Sequence, residues 1–259
     1  VLEVRAARKT FYRGQPDEKV ALNGLDLTLA TGEFAVVIGS NGAGKSSMLN
    51  AVSGSLMLDS GSVIVNGDDL TAMPVHKRAA RIARVFQDPM LGTAASMTVA
   101  ENMLLADLRS RRRTLRPGLN AKRLSTYRER LSILGLGLEN RLDTRVELLS
   151  GGQRQSLSLI MAVSGSPDLL LLDEHTAALD PRTADIVMSA TVRAVEALKL
   201  TTLMVTHNMQ HAVDYGHRVV MLDSGHVHLE IGGAEKANVT VPDLIGHFST
   251  KTDRMLLAS

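Results

Sequence analysis

Phe34-Ala35-Val36-Val37-Ile38 runs straight into Gly39-Ser40-Asn41-Gly42-Ala43-Gly44-Lys45-Ser46. The first segment is a continuous apolar run, the pattern of a strand buried on both faces of a sheet. The second fits G-x-x-x-x-G-K-[ST]. Its glycines let the backbone curl, so that successive N–H groups point inward at phosphate oxygens. A helical stretch follows from about Lys45 to Ser53 and adds the positive end of its dipole. Strand, loop and helix together predict a phosphate cradle whose backbone spans Gly39, Ser40, Asn41, Gly42, Ala43 and Gly44. In it Lys45 reaches the β- and γ-phosphates, the Ser46 hydroxyl ligates Mg²⁺, and Ser47 sits near the α-phosphate.

Outward from this loop, short apolar runs recur at Val1–Val4, Leu25–Leu29, Val63–Val65, Leu169–Leu172, Leu203–Val205 and Val219–Leu222. Helical patterns separate several of them, as at Arg182–Lys199. This alternation predicts an α/β fold with a mostly parallel sheet. Asp88 to Leu149 has little strand character and is broken at Pro117–Gly118, Gly135 and Gly137. It reads as a helical insertion (88–150) into a single domain whose core and antiparallel β subdomain take residues 1–87 and 151–259. Asp223-Ser224-Gly225 reads as a hairpin turn.

Composition narrows the function. The chain has 259 residues, 44% of them hydrophobic, enough for one large domain or a domain with a subdomain. A net charge of +2 does not by itself indicate a nucleic-acid partner. Aromatics at 3% and the absence of Trp argue against base stacking on RNA. With no Cys, disulfides and thiolate metal sites are excluded. No stretch approaches the roughly 18 apolar residues of a membrane span.

A second apolar run, Leu169-Leu170-Leu171-Leu172, ends in Asp173-Glu174. Beside a phosphate loop the two carboxylates take separate roles. Asp173 holds Mg²⁺ through water, because a hard cation prefers oxygen ligands. Glu174, one residue further out, faces the γ-phosphate and polarises the attacking water as general base.

Leu149-Ser150-Gly151-Gly152-Gln153-Arg154 stands shortly before that pair. It is a further anion site in physical terms, a Ser hydroxyl and glycine N–H groups ahead of a helix starting near Gln153. It resembles the LSGGQ signature of the ATP-binding-cassette (ABC) ATPases, which are P-loop NTPases. Other segments carry the same resemblance, in the same order. Gln87, after Val85–Phe86, resembles the Q-loop glutamine, which implies contact with the catalytic water and Mg²⁺. Ala177-Ala178-Leu179-Asp180 resembles the D-loop. His207 resembles the switch histidine that contacts the γ-phosphate. Phe11 matches the aromatic that stacks on adenine, with Tyr12 as its nearest rival. The resemblance runs to at least Gly232.

The resemblance implies a mechanism and partners. Two copies pair head to tail around two ATP molecules, each with Mg²⁺. Ser150, Gly151, Gly152 and Gln153 of one copy meet the ATP held by the other, Ser150 and Gly152 at its γ-phosphate, and Asp180 links the two sites. Binding closes the dimer; hydrolysis reopens it and drives transmembrane permease subunits. The implied location is peripheral, on the cytoplasmic face of the cell membrane.

Some positions depart from the family pattern. His175 stands where most relatives have Pro, and Ala178 where Ser is common. With Met204-Val205-Thr206-His207-Asn208-Met209, these resemble a bacterial importer group that works with an unfused permease and an extracytoplasmic solute-binding protein, some members serving tryptophan- or tyrosine-type solutes. Ribosome-acting and DNA-repair members of the superfamily are the alternative. The former commonly carry two cassettes and the latter long heptad-rich arms, and this chain has one set of motifs and a short insertion. A P-loop kinase has no use for the signature or His207. The basic run Arg109, Arg111, Arg112, Arg113 and Arg116 reads as a solvated face, with anionic lipid or an acidic permease loop as the other candidate. His226 and His228 share a strand face but have no third metal-ligand candidate nearby.

Overall fold

The computed structural model describes residues 1–109 and 118–247. Arg111, Arg112, Arg113 and Arg116 lie outside the described residues. In chain order the elements begin with β1 (Leu2–Phe11), β2 (Lys19–Leu29), β3 (Phe34–Gly39), α1 (Lys45–Ser53), β4 (Ser60–Val65), β5 (Asp68–Asp69), α2 (Val75–Arg78) and β6 (Ile82–Val85). The helical segment contains α3 (Val99–Asp107), α4 (Ala121–Ser132) and short 3-10 turns. The chain then forms α5 (Gly151–Val163), β7 (Leu169–Asp173), α6 (Pro181–Leu198), β8 (Thr202–Val205), α7 (Met209–Asp214), β9 (Arg218–Asp223), β10 (His226–Gly232) and α8 (Gly233–Lys236).

Two sheets result. One is six-stranded in the order β10-β9-β3-β8-β7-β6, parallel except for the antiparallel pair β9 and β10. The other is four-stranded and antiparallel, in the order β2-β1-β4-β5. The expected α/β class with a largely parallel sheet is what the chain adopts.

The continuous apolar strands explain how the layers are held. Because side chains alternate along a strand, β3 sends Phe34, Val36 and Ile38 to one face and Ala35 and Val37 to the other. The neighbouring strands keep the same alternation: Leu170 and Leu172 against Leu169 and Leu171, Met204 against Leu203 and Val205, Val219 and Met221 against Val220 and Leu222. The first face packs on the helices, through Met103, Tyr127, Leu157 and Met188. The second packs on α1 and the four-stranded sheet, through Met48, Leu49, Leu27 and Val63. A strand buried on both faces has no room for polar side chains, hence its unbroken apolar sequence.

Several boundaries differ from expectation. β1 continues to Phe11 and β2 starts at Lys19. Their outer halves are polar and half-exposed, so hydrophobic alternation fades while the ladder continues through register shifts. Ile82-Ala83-Arg84-Val85 forms β6 against β7, too short and too charged to show periodicity. The helix after the signature begins at Gly151, two residues earlier than expected, because Ser150 caps it.

In the helical segment, Thr98 and Glu101 form a capping box at the start of α3. Buried Asn102 donates to the carbonyls of Ala94 (3.0 Å) and Thr98 (2.9 Å) and accepts from the Ala94 amide (2.7 Å). Fully buried Tyr127 donates to Asp107 Oδ2 at 3.1 Å, and Arg130 pairs with the same carboxylate at 2.9 Å.

Candidate active site

The phosphate loop is held from behind by backbone. Gly44, at φ 104°, occupies a region that L side chains rarely adopt, and a Cβ there would lie 2.6 Å from the Ala21 carbonyl oxygen. Gly39 is required for a different reason: its φ is ordinary, but a Cβ would sit 2.5 Å from the Leu222 carbonyl oxygen on β9. The turn between β9 and β10, with Ser224 and Gly225 both at positive φ, closes on the loop. The Gly225 amide donates to Ala43 O (3.0 Å), and its carbonyl accepts from the Asn23 amide (2.8 Å). A hairpin distant in sequence thereby clamps the loop to β2.

Lys45 is 5% exposed, and its ammonium donates to the carbonyls of Gly39 (2.6 Å) and Ser40 (3.0 Å). Burial pulls its pKa below the ordinary lysine value, and the Glu174 carboxylate opposes that fall. These bonds fold the side chain back along the loop, over the N-terminus of α1.

Above the loop opens a cleft of about 300 Å³. It is lined by the loop residues Asn41, Gly42, Gly44, Lys45, Ser46 and Ser47, by Phe11, Lys19 and Ala21 from β1 and β2, and by Glu174 and His207. Glu174 and His207 come from the ends of adjacent parallel strands, β7 and β8, and His207 Nε2 lies 2.5 Å from Glu174 Oε1. Glu174 holds φ 47°, a strained conformation for a non-glycine residue and a recurrent feature of functional sites. Phe11 lines the cleft, whereas Tyr12 is 60% exposed and lies outside the lining.

Asp173 sits one residue before Glu174, with Oδ2 at 2.6 Å from Arg84 Nη2. Arg84 also donates to Asn50 on α1 at 2.7 Å and stacks over Phe86, 5.0 Å from the ring centroid. This link between the acidic strand and the loop helix was not anticipated; its one sequence signal is a lone arginine inside Ile82–Val85. Lys19 was also missed, because a lysine at the start of a strand carries no distinguishing pattern. Among the described residues, no group of three or more His, Asp or Glu side chains is arranged to hold a metal ion. The oxygen donors Ser46 and Asp173 suit a hard cation that keeps waters and takes other ligands from substrate phosphates.

The remaining candidates stand outside the cleft lining. Gln87 is exposed just beyond β6. Ser150 is exposed at the N-cap of α5, where its Oγ accepts from the Gln153 amide and Gln153 Oε1 accepts from the Ser150 amide, both at 3.2 Å. The hydroxyl hydrogen of Ser150 is left to donate elsewhere, alongside the N–H groups of Gly151 and Gly152. Asp180 caps α6 through the Thr183 amide at 3.1 Å, and its hydrogen bonds to Thr183 hold its carboxyl below the usual range. His175 is buried, 2% exposed, and its Nε2 lies 3.1 Å from Thr191 Oγ1. Burial pushes its pKa down to about 3, which keeps the ring neutral, and it lies outside the cleft lining.

A glycine-rich loop at a helix N-terminus, with a buried lysine and an acidic strand end beside it, defines a P-loop ATPase. A signature Ser at a separate helix start narrows the class further. The model of the ABC transporter family matches residues 22–177, and the chain belongs to that family. It is similar to the tyrosine transport ATP-binding protein of Clostridioides difficile (strain R20291), 42% identical over 248 residues that cover 96% of this chain and 98% of the relative. It is 34% identical to the sulfate/thiosulfate import ATP-binding protein CysA of Methylococcus capsulatus, over 91% of this chain but 64% of that longer protein. Among solved structures it resembles the dimeric ATP-binding cassette MJ0796 in a post-hydrolysis state bound to ADP and Pi, with TM-score 0.74 and 26% identity over 90% of this chain and 98% of that one. The protein is an ATP-binding and ATP-hydrolysing subunit of an ABC transporter.

Proposed function

We propose that ATP lies along the cleft with its triphosphate on Gly39–Ser47 and its adenine against Phe11. The backbone amides of the loop, the N-terminus of α1 and Lys45 carry the negative charge. Ser46 and, through water, Asp173 would hold Mg²⁺, with Gln87 reaching it from beyond β6; when bound, Mg²⁺ neutralises charge on the β- and γ-phosphates. Glu174 takes a proton from the attacking water, and His207 orients the γ-phosphate. Catalysis is then mainly positioning and charge stabilisation.

The observation that carries this reading is the meeting of Glu174 and His207 in the same cleft as Lys45 and Ser46. Glu174→Gln keeps the shape of the side chain and removes its basicity. It should bind ATP normally and turn over at least roughly 100-fold more slowly, the range for loss of a general base. Near-normal hydrolysis by that variant would reject the assignment.

The exposed Ser150 supports a head-to-tail dimer, since Ser150, Gly151, Gly152 and Gln153 lie outside this copy's own cleft and the Ser150 hydroxyl has a hydrogen to offer. Asp180 lies at the start of α6, placed to link the two sites. Among the described residues no helix is long and apolar enough to cross a membrane. Force would pass to permease subunits at the cytoplasmic face, a reading that the transporter ATP-binding relatives support. Relatives that serve sulfate/thiosulfate and methionine import support import, and the tyrosine transport relative supports a small-solute cargo. An extracytoplasmic solute-binding protein would deliver that cargo. Co-purification with a multi-span membrane protein tests this arrangement.

A further inference from the structure

Glu174 is held in a left-handed backbone conformation at φ 47°. Such a conformation is unfavourable for a non-glycine residue and persists only where its surroundings enforce it. Two backbone bonds contribute: the Glu174 amide donates to Val205 O at 3.0 Å, and its carbonyl accepts from Ala177 N at 2.9 Å. Both lie within the strand ends and the turn itself.

The next residue reaches further. His175 turns inward, 2% exposed, to Thr191 in the middle of α6, itself fully buried. Thr191 Oγ1 gives its hydrogen to the Val187 carbonyl at 2.8 Å. Its remaining capacity toward His175, 3.1 Å away, is therefore as an acceptor. His175 must donate, which fixes the Nε2–H tautomer. A buried donor with a matched acceptor ties the residue after Glu174 to a helix whose first turn is capped by Asp180.

We propose that His175 is a positioning residue for hydrolysis: its bond to Thr191 locks the turn that aims the Glu174 carboxylate into the cleft. The inference rests on Glu174 being the base. It also makes α6 part of the mount, so that a shift of α6 moves the base with it. A misplacement of about 1 Å at a reacting group can cost on the order of 100-fold in rate, while nucleotide binding, made by the loop and α1, is untouched.

The test uses the full chain with its permease partners and four variants: His175→Leu, Thr191→Val, their double combination, and His175→Gln, whose amide nitrogen can still donate. Equilibrium binding of MgATP, steady-state kcat and KM, and thermal unfolding are measured for each. His175→Leu and Thr191→Val should each lower kcat by about 10-fold or more with ATP affinity within about twofold. The double variant should be no slower than the slower single one, and His175→Gln should stay within about threefold of the parent. Normal kcat in folded Thr191→Val, equal losses of binding and turnover, or a Gln variant as slow as the Leu variant would each overturn the proposal. Glu174→Gln run in parallel separates the two ideas. If it still hydrolyses ATP the base assignment is wrong; if it is inactive while His175→Leu is normal, only the positioning role fails.

Discussion

Replacing Arg78 with Met should destabilise the protein by about 3 kcal/mol, although Arg78 touches no nucleotide. Its side chain is 1% exposed and donates four hydrogen bonds, all to backbone carbonyls. Nη1 reaches Ala51 O at 2.8 Å and Val52 O at 2.9 Å, in the last turn of α1. Nε reaches Met73 O at 2.8 Å and Nη2 reaches Thr71 O at 2.9 Å. The guanidinium thus satisfies the Val52 carbonyl that the helix end leaves orphaned, adds a second donor to Ala51 O beside the Gly54 amide, and places positive charge at the negative end of the dipole. Met preserves the apolar stem and volume but donates nothing. The Val52 carbonyl is then buried without a partner at about 1–3 kcal/mol, the Ala51 carbonyl loses one of two bonds but keeps the Gly54 amide at 3.2 Å, and the carbonyls of Met73 and Thr71 recover part of their loss from water. Loss of the dipole term adds up to about 1 kcal/mol, which together gives the figure above. That is a large share of the roughly 5–15 kcal/mol that holds a typical domain folded. Urea unfolding followed by circular dichroism at 222 nm provides the measurement, with the m-value required to stay constant. Arg78→Lys, which keeps the charge but cannot span four acceptors, should fall between the two. A loss below about 1 kcal/mol for Arg78→Met, with unchanged m, would show that water reaches the end of α1 and refute the capping account.

Gly39→Ala should reduce ATP affinity at least about 10-fold and lower stability by about 1–3 kcal/mol, because the new Cβ meets a backbone oxygen of β9 that cannot swing aside. Isothermal titration and urea unfolding measure the two effects, and a normal affinity would contradict the geometry. Tyr127 gives a pH prediction. Its pKa is pushed up to about 12, mainly by burial, while the unfolded phenol titrates near 10. The folded state therefore favours the protonated form, a contribution fully present below pH 10 and lost as pH rises toward 12. Between pH 9 and pH 11 the parent should lose about 1 kcal/mol more than Tyr127→Phe, and equal losses would contradict it.

What the residues alone determined is the part of this protein written in local pattern. Unbroken apolar runs at Phe34–Ile38 and Leu169–Leu172 announced a sheet covered on both faces, and Gly39–Ser46 announced its phosphate loop, because steric and backbone demands there allow few alternatives. The family signature likewise sits in six consecutive positions, Leu149–Arg154. The positioning of these parts came from contacts between segments far apart in the chain, which no periodicity reports. The Gly225 turn braces Ala43, Arg84 joins Asp173 to Asn50, Arg78 closes the end of α1, and His175 reaches across to Thr191. In each case a single polar group acquires its meaning from a partner that folding brings within about 3 Å, and that pairing is decided by the tertiary packing.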